Sequence, residues 1–236
     1  MPAGIEVIDQ GGTNAALLTS DSAFFRLEGK GSFWAPGAPN GEYNFSIVNI
    51  DIPFSGNWND SPCLAIRCGR TVSYYVRNID SGVIRYTFSC SPNQTVEWWL
   101  FSRRGPGWSN SGIQIFHGDG SLAYDAGTPV MFPLGDQFDQ QHWGRTVGVI
   151  LANYHTEYEY TLDSWDDPDT YLFNRYETWV RSIEGCYVEG NAAKYGALSW
   201  ARITDSGHIY RDWQGSGGNF IESGSTNILV VDLTGI

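Results

Sequence analysis

Positive charge is scarce in this chain: 14 Lys and Arg stand against 26 Asp and Glu, a formal net charge of −12. A phosphate backbone needs basic partners, so nucleic-acid binding is excluded as an expectation, and an anionic membrane surface is disfavoured for the same reason. No apolar run approaches the roughly 18 residues of a membrane-spanning helix. The opening MPAGIEVIDQGG lacks a basic stretch and an apolar stretch, so it does not read as a secretory signal, and synthesis in a cytoplasm is expected. Four cysteines, Cys63, Cys68, Cys90 and Cys186, fit no zinc ribbon and no CxxC pair. They read as reduced, buried small hydrophobes, with a Cys68–Cys90 disulfide as the alternative after release to an oxidising medium. The four histidines form no HExxH, and no GxSxG elbow occurs.

Strand signals dominate what is present. Short segments such as YNFSIVNIDI, TVSYYVRNI, GVIRYTFSC and NILVVDL are rich in β-branched and aromatic residues and are bounded by Gly, Asn, Asp, Ser or Pro. In TVSYYVRNI, Val72, Tyr74 and Val76 fall on one face and Ser73, Tyr75 and Arg77 on the other. Frequent turns account for the 28 glycines spread along the chain. Residues 172–185 are compatible with a short helix or a strand. The expected fold class is all-β with little helix: two β-sandwich-like modules, each opened by a similar β-hairpin.

The hairpins are a repeat. Aligning Gly4 with Gly112 sets Ile5 on Ile113, Glu6 on Gln114, Val7 on Ile115, Gly12 on Gly120 and Thr13 on Ser121. Each copy reads as strand, polar turn with Gly at a position suited to positive φ, and return strand. The polar stretch SRRGPGWSNSG, residues 102–112, breaks the strand patterns on both sides. It divides the chain into an N-terminal module, 1–105, and a C-terminal module, 106–236. One continuous sandwich is the alternative.

Several motifs in fixed order carry a family resemblance. They are the Gly-Ile-x-Val hairpin near Met1, SPCLAIRC, VEWWLFSR, SGIQIFHGDGSLAYD and the closing ILVVDLTGI. In that order they resemble a family of uncharacterised tailed-bacteriophage tail proteins. His117 and Gly118 depart from the Asn and small residue of that pattern, and Tyr124 from its Phe. The resemblance implies a non-enzymatic virion protein of the distal tail, at the tail tip or in the fibre complex. Its implied partners are other tail proteins, with a symmetric homo-oligomer on the tail axis and a host-surface glycan or outer-membrane receptor beyond it. The N-terminal module would be the docking side and the C-terminal module the outward side. No cofactor and no catalytic residue is implied.

Chemistry read from the residues alone is sparse. His117 with Asp119 reads as a solvated turn rather than an acid–base pair. Asp163, Asp166, Asp167 and Asp169 form an acidic segment, expected as a loop, that lacks the glycine and closing Glu of a calcium loop, so no metal site is assigned. A surface-glycan hydrolase would need two carboxylates at fixed separation, which sequence does not fix. Ten tryptophans exceed what one core of this size hides easily. Adjacent Trp98 and Trp99 must face opposite sides of a strand, and with Phe24 and Phe25 they are the candidate interface. Trp58, Trp108 and Trp165, expected on loops, are the candidate glycan contacts of a lectin-like alternative.

Overall fold

The computed structural model describes residues 4–8, 14–19, 25–38, 44–80, 82–103, 113–116, 118, 120, 122–125, 127–136, 139–153, 156–167, 172–205, 218–221 and 226–236. In chain order the strands are β1 (Gly4–Ile8), β2 (Asn14–Thr19), β3 (Arg26–Ala35), β4 (Ser46–Pro53), β5 (Cys63–Arg67), β6 (Val72–Asp80), β7 (Val83–Cys90) and β8 (Gln94–Ser102). There follow β9 (Gln114–Phe116), β10 (Leu122–Asp125), β11 (Phe132–Gly135), β12 (Val147–Asn153), β13 (Thr156–Asp167), β14 (Leu172–Glu189), β15 (Ala192–Asp205), β16 (Gly218–Ile221) and β17 (Asn227–Asp232). Among the described residues the one helical turn is a 3-10 turn at Trp58–Asp60. Residues 172–185, compatible with either helix or strand, lie in β14, where pairing on both sides supplies the hydrogen bonds that a helix would have made internally.

Two antiparallel sheets pack face to face. One runs β11-β17-β12-β5-β8-β3. The other runs β16-β13-β14-β6-β7-β4, with β15 also paired to β14. Both contain strands from before and after residue 106: β12 pairs β5 through Val149–Ile66 and Ile150–Ala65, and β14 meets β6 at Cys186–Val72. The shared core likewise joins Ile66, Leu100 and Tyr86 to Val149, Cys186 and Val230. Apolar burial at about 25 cal/mol per Å² is the main force holding the sheets together.

The six-stranded sheet is covered on both faces. Its second apolar cluster holds Ala65, Trp99, Phe101, Ile150, Val231 and Leu233, with Phe25, Met131 and Ile236 packed against it. The sheet curls around this cluster until its edges meet. Val130, just ahead of β11, bridges Arg26 at the start of β3. The Leu27 N–H donates to the Pro129 carbonyl at 2.9 Å and the Met131 N–H to the Phe25 carbonyl at 2.8 Å. Joining the two edges removes the open N–H and C=O groups that an edge would otherwise present at that end.

In the other sheet, β14 runs past β6. Its first part, from Leu172 to Ile183, pairs with β13, and Tyr176 to Glu189 pairs with β15. Where β6 crosses it, Gly185 of β14 opposes Gly196 of β15. A Cβ at Gly185 would sit 2.7 Å from the Val72 carbonyl carbon, so the bare backbone is what lets β6 approach.

Candidate binding surface

The two hairpins stand apart from both large sheets, each as its own two-stranded sheet. Their pairing is the same residue for residue. In the first, Glu6 opposes Leu17, Val7 opposes Ala16 and Ile8 opposes Asn14, leaving Ala15 as an extra residue. In the second, Gln114 opposes Asp125, Ile115 opposes Tyr124 and Phe116 opposes Leu122, leaving Ala123 as the extra residue. Under the alignment of Gly4 with Gly112, every one of these pairs and the bulge coincide. Gly120 has φ +84°, the left-handed conformation the turn position requires; Gly12 lies outside the described residues. Ile113 is 58% exposed and Phe116 is also exposed. An isolated hairpin is marginally stable in water, so the second hairpin, with Ile113 and Phe116 exposed, is suited to being covered by something else.

A second exposed feature is Trp58, 57% exposed at the head of the 3-10 turn between β4 and β5. Its polar neighbours hold the turn closed. The Asn59 N–H donates to Asn57 Oδ1 at 2.8 Å, and the Asn57 N–H donates to Asp60 Oδ2 at 2.7 Å. The Arg103 N–H ties the turn to the end of β8 by donating to the Asp60 carbonyl at 2.7 Å. This reciprocal box fixes the backbone on both sides of the indole. Ser61 leaves the turn in the left-handed region at φ 48°.

The other singled-out residues separate. Trp99 is 8% exposed in the second apolar cluster, and Phe25 packs against the same cluster. Trp98, on the opposite face of β8, is half-buried against the main core. Phe24 and Trp108 lie outside the described residues, as do His117, Asp119 and Asp169. The backbone at Asp163, Trp165, Asp166 and Asp167 is not a loop but the end of β13, paired with Leu172 to Tyr176 of β14. The alternation of Tyr158, Tyr160 and Leu162 with Glu157, Glu159 and Thr161 ends at Leu162, and it is pairing with β14 that carries the strand on to Asp167.

Three exposed aromatics stand out only in the structure: Trp34 near the end of the edge strand β3, Phe132 on β11, and Trp143, 81% exposed in a turn before Gly144. Their counterparts in composition were visible, but exposure depends on strand order, and strand order is non-local.

All four cysteines are free. Burial pushes the Cys63 and Cys68 thiols up to about 12 and raises Cys90 and Cys186 as well, with the neighbouring Cys68 adding to both. Such thiols are poor nucleophiles and poor ligands. Among the described residues no group of three or more His, Cys, Asp or Glu gathers as a metal site would require, and no helix is long and apolar enough to cross a membrane. Comparison with protein-family models, curated proteins and solved structures finds no match to this chain.

Proposed function

We propose that this chain is a non-enzymatic structural protein of a tailed bacteriophage, at the tail tip or in the fibre complex of the distal tail, working through protein–protein contacts. The observation that carries the reading is the duplicated hairpin: one docking element, with one register and one bulge, presented twice on one chain. An enzyme has no evident use for a second copy of a two-stranded sheet. A component that meets repeated neighbours around an axis does, because each copy offers the same surface to the same kind of partner. The ordered motifs that resemble tail proteins point the same way.

The test uses particles of the phage that encodes the chain. A tag placed on the chain and labelled in electron micrographs is expected at the distal end of the tail; absence of the chain from tail fractions refutes the reading. Ile113→Asp and its counterpart Ile5→Asp should each lower incorporation, because they place a charge on equivalent hairpin edges. Unchanged incorporation of both would remove the hairpins from assembly.

A lectin-like role in adsorption is the second reading, favoured by the rigid display of Trp58. Indole faces stack on sugar rings, and a turn closed by its own side chains loses little entropy on binding.

A further inference from the structure

We infer that β4 is an open pairing edge, and that a second copy of this chain adds its own β4 to it, antiparallel across a two-fold axis, with Asn49 of each copy opposite Asp51 of the other. This contact goes beyond the assembly reading and does not rest on it. β4 pairs β7 from Ser46–Cys90 to Pro53–Val83 in one unbroken register. The Phe54 N–H extends that ladder by one step, donating to the Gly82 carbonyl at 2.8 Å. Hydrogen-bonded and non-hydrogen-bonded pairs alternate along an antiparallel ladder, so the even-numbered residues of β4 turn their N–H and C=O groups to β7. Ile47, Asn49, Asp51 and Pro53 turn theirs the other way. Among the described residues no strand and no backbone group meets them on that side. All four residues are exposed, Ile47 by 54%.

The other edge strands of the two large sheets are blunted, and β4 is not. β3 has a bulge between Leu27 and Gly29, carries Lys30, and is joined at its start to residues 129–131. β11 has Pro133 and a register shift beside it. On β15 the Ser199 backbone is taken by Asn44 from both its N–H and its carbonyl. β16 has four residues. Bulges, lysines, prolines and short length are the devices that keep an edge from pairing with another chain. β4 has eight residues, no bulge, no Lys or Arg, and its proline stands at the last position. Its one charge, Asp51, is matched by Arg85 at 3.2 Å.

The order of residues along β4 selects a second copy as the occupant, and selects the register. The outward groups must meet outward groups, so odd-numbered residues pair with odd-numbered ones. Setting Asp51 against itself opposes like charges. Setting Asn49 against itself puts Asp51 on the apolar Ile47. With Asn49 opposite Asp51 of the second copy, every pair is compatible. The two residues exchange both ladder bonds, and Thr87 Oγ1 occupies only the oxygen of the Asn49 amide, at 2.7 Å, so its N–H groups are left for the carboxylate. Ile47 meets Pro53, and its N–H meets a carbonyl whose own residue has no N–H to leave unpaired. On the inner face Ile50 meets Ile50, and Val48 meets Ile52. Val48 and Ile50 are only partly buried at the margin of the main core, so the same register covers them. A contact in which each residue meets its counterpart's partner is what a two-fold interface requires.

The test is sedimentation velocity of the intact chain over a concentration series. A reversible dimer is expected, with a dissociation constant of about 10–100 µM, as suits a small interface. Added salt should tighten it, because two copies of net charge −12 repel each other. Asn49→Pro removes an outward N–H at the centre of the contact, leaves the β7 ladder whole, and should weaken the dimer at least tenfold with unchanged circular dichroism. Should that variant not fold, Ile47→Lys replaces it and is expected to weaken the dimer as much. Disulfide formation in a glutathione buffer reads the register. An equal mixture of Asn49→Cys and Asp51→Cys chains should link, whereas Asn49→Cys alone should not, its two copies standing about 8 Å apart and out of reach. Ile113→Asp should dimerise like the parent. A parent chain that stays monomeric overturns the inference and leaves the edge to a strand of another protein. A dimer that the β4 variant leaves intact, loss of the dimer in Ile113→Asp, or Asn49→Cys linking alone as readily as the mixture each overturn it too.

Discussion

The phenol of Tyr74 accepts the backbone N–H of Leu151 at 2.9 Å and donates to the carbonyl of Leu64. Tyr74 belongs to the β16-to-β4 sheet, and both of its partners belong to the other. The β5–β12 ladder closes only Val149–Ile66 and Ile150–Ala65, and the phenol fills the next step, where Leu64 and Leu151 would otherwise face each other unpaired. One hydroxyl thus satisfies a strand donor and a strand acceptor and joins the two sheets through the core.

Tyr74→Phe keeps the ring and removes that bridge. The Leu151 N–H and one lone pair of the Leu64 carbonyl are then buried without a partner, a cost of about 1–3 kcal/mol. Urea unfolding should show a lower midpoint with an unchanged slope. A variant as stable as the parent would mean that strands β5 and β12 close the gap themselves.

Trp98 and Gly31 give a second prediction. They are direct cross-strand partners, and a Cβ on Gly31 would stand 2.7 Å from Trp98 Cζ2, whereas one on Gly29 would be no nearer than 3.8 Å. The indole therefore lies over the glycine at 31. Gly31→Ala should cost about 1–3 kcal/mol by overpacking. Gly29→Ala should be neutral or stabilising by up to about 1 kcal/mol, because it lowers unfolded-chain entropy. Combining Gly31→Ala with Trp98→Leu should cost less than the sum of the two single changes, since the clash is removed with the ring. Thermal midpoints of the four proteins measure this, and strict additivity would disprove the contact.

The sequence made some of this legible and hid the rest for a physical reason. Alternation placed Val72, Tyr74 and Val76 on one face of β6 and Ser73, Tyr75 and Arg77 on the other; the first three pack in the core and Tyr75 and Arg77 are exposed, but Ser73 is buried. Adjacency placed Trp98 and Trp99 on opposite faces of β8. The hairpin repeat could be read from glycine and apolar spacing, although its common bulge at Ala15 and Ala123 could not. What local pattern does not contain is which strands pair. The Val130–Arg26 bridge, the β5–β12 ladder and the cover over Trp99 from Phe25, Met131 and Ile236 all join segments far apart in the chain. The acidic segment at the end of β13 looked like a loop because Asp disfavours strands, yet pairing with β14 fixes its backbone.

Alkaline pH should weaken the fold. Burial holds the Cys63 and Cys68 thiols near 12 against an ordinary 9.0, and raises Cys90, Cys186, Tyr74 and Tyr86 as well. Above about pH 9 the unfolded chain releases thiol protons that the folded chain keeps, so stability falls as pH rises. The contribution is complete below the unfolded pKa and is lost on the way up to the folded one. Urea midpoints at pH 8, 9, 10 and 10.5 should decline steadily, and a thiol reagent at pH 8 should label the native chain far more slowly than the unfolded one. A flat midpoint to pH 10.5 with rapid native labelling would place these thiols in solvent.

The last prediction separates what Trp58 does for the fold from what it does for binding. The indole is 57% exposed, so Trp58→Ala removes little buried surface and should change stability by less than about 0.5 kcal/mol. The box beneath it is different. Asn57→Ala frees the Asn59 N–H and should cost about 1 kcal/mol, as loss of a cap does. Asp60→Asn weakens the acceptor for the Asn57 N–H but keeps its shape, so its cost should be smaller. If Trp58 meets a sugar or a tail neighbour, Trp58→Ala should lower adsorption or incorporation sharply at unchanged stability. Asn57→Ala should lower it in part, because the indole remains but its backbone is loosened. Adsorption rates of phage carrying each variant, set beside thermal midpoints of the purified chains, make the comparison. A Trp58→Ala phage that adsorbs and assembles like the parent would leave the rigid turn with no binding role, and the lectin-like reading would fall with it.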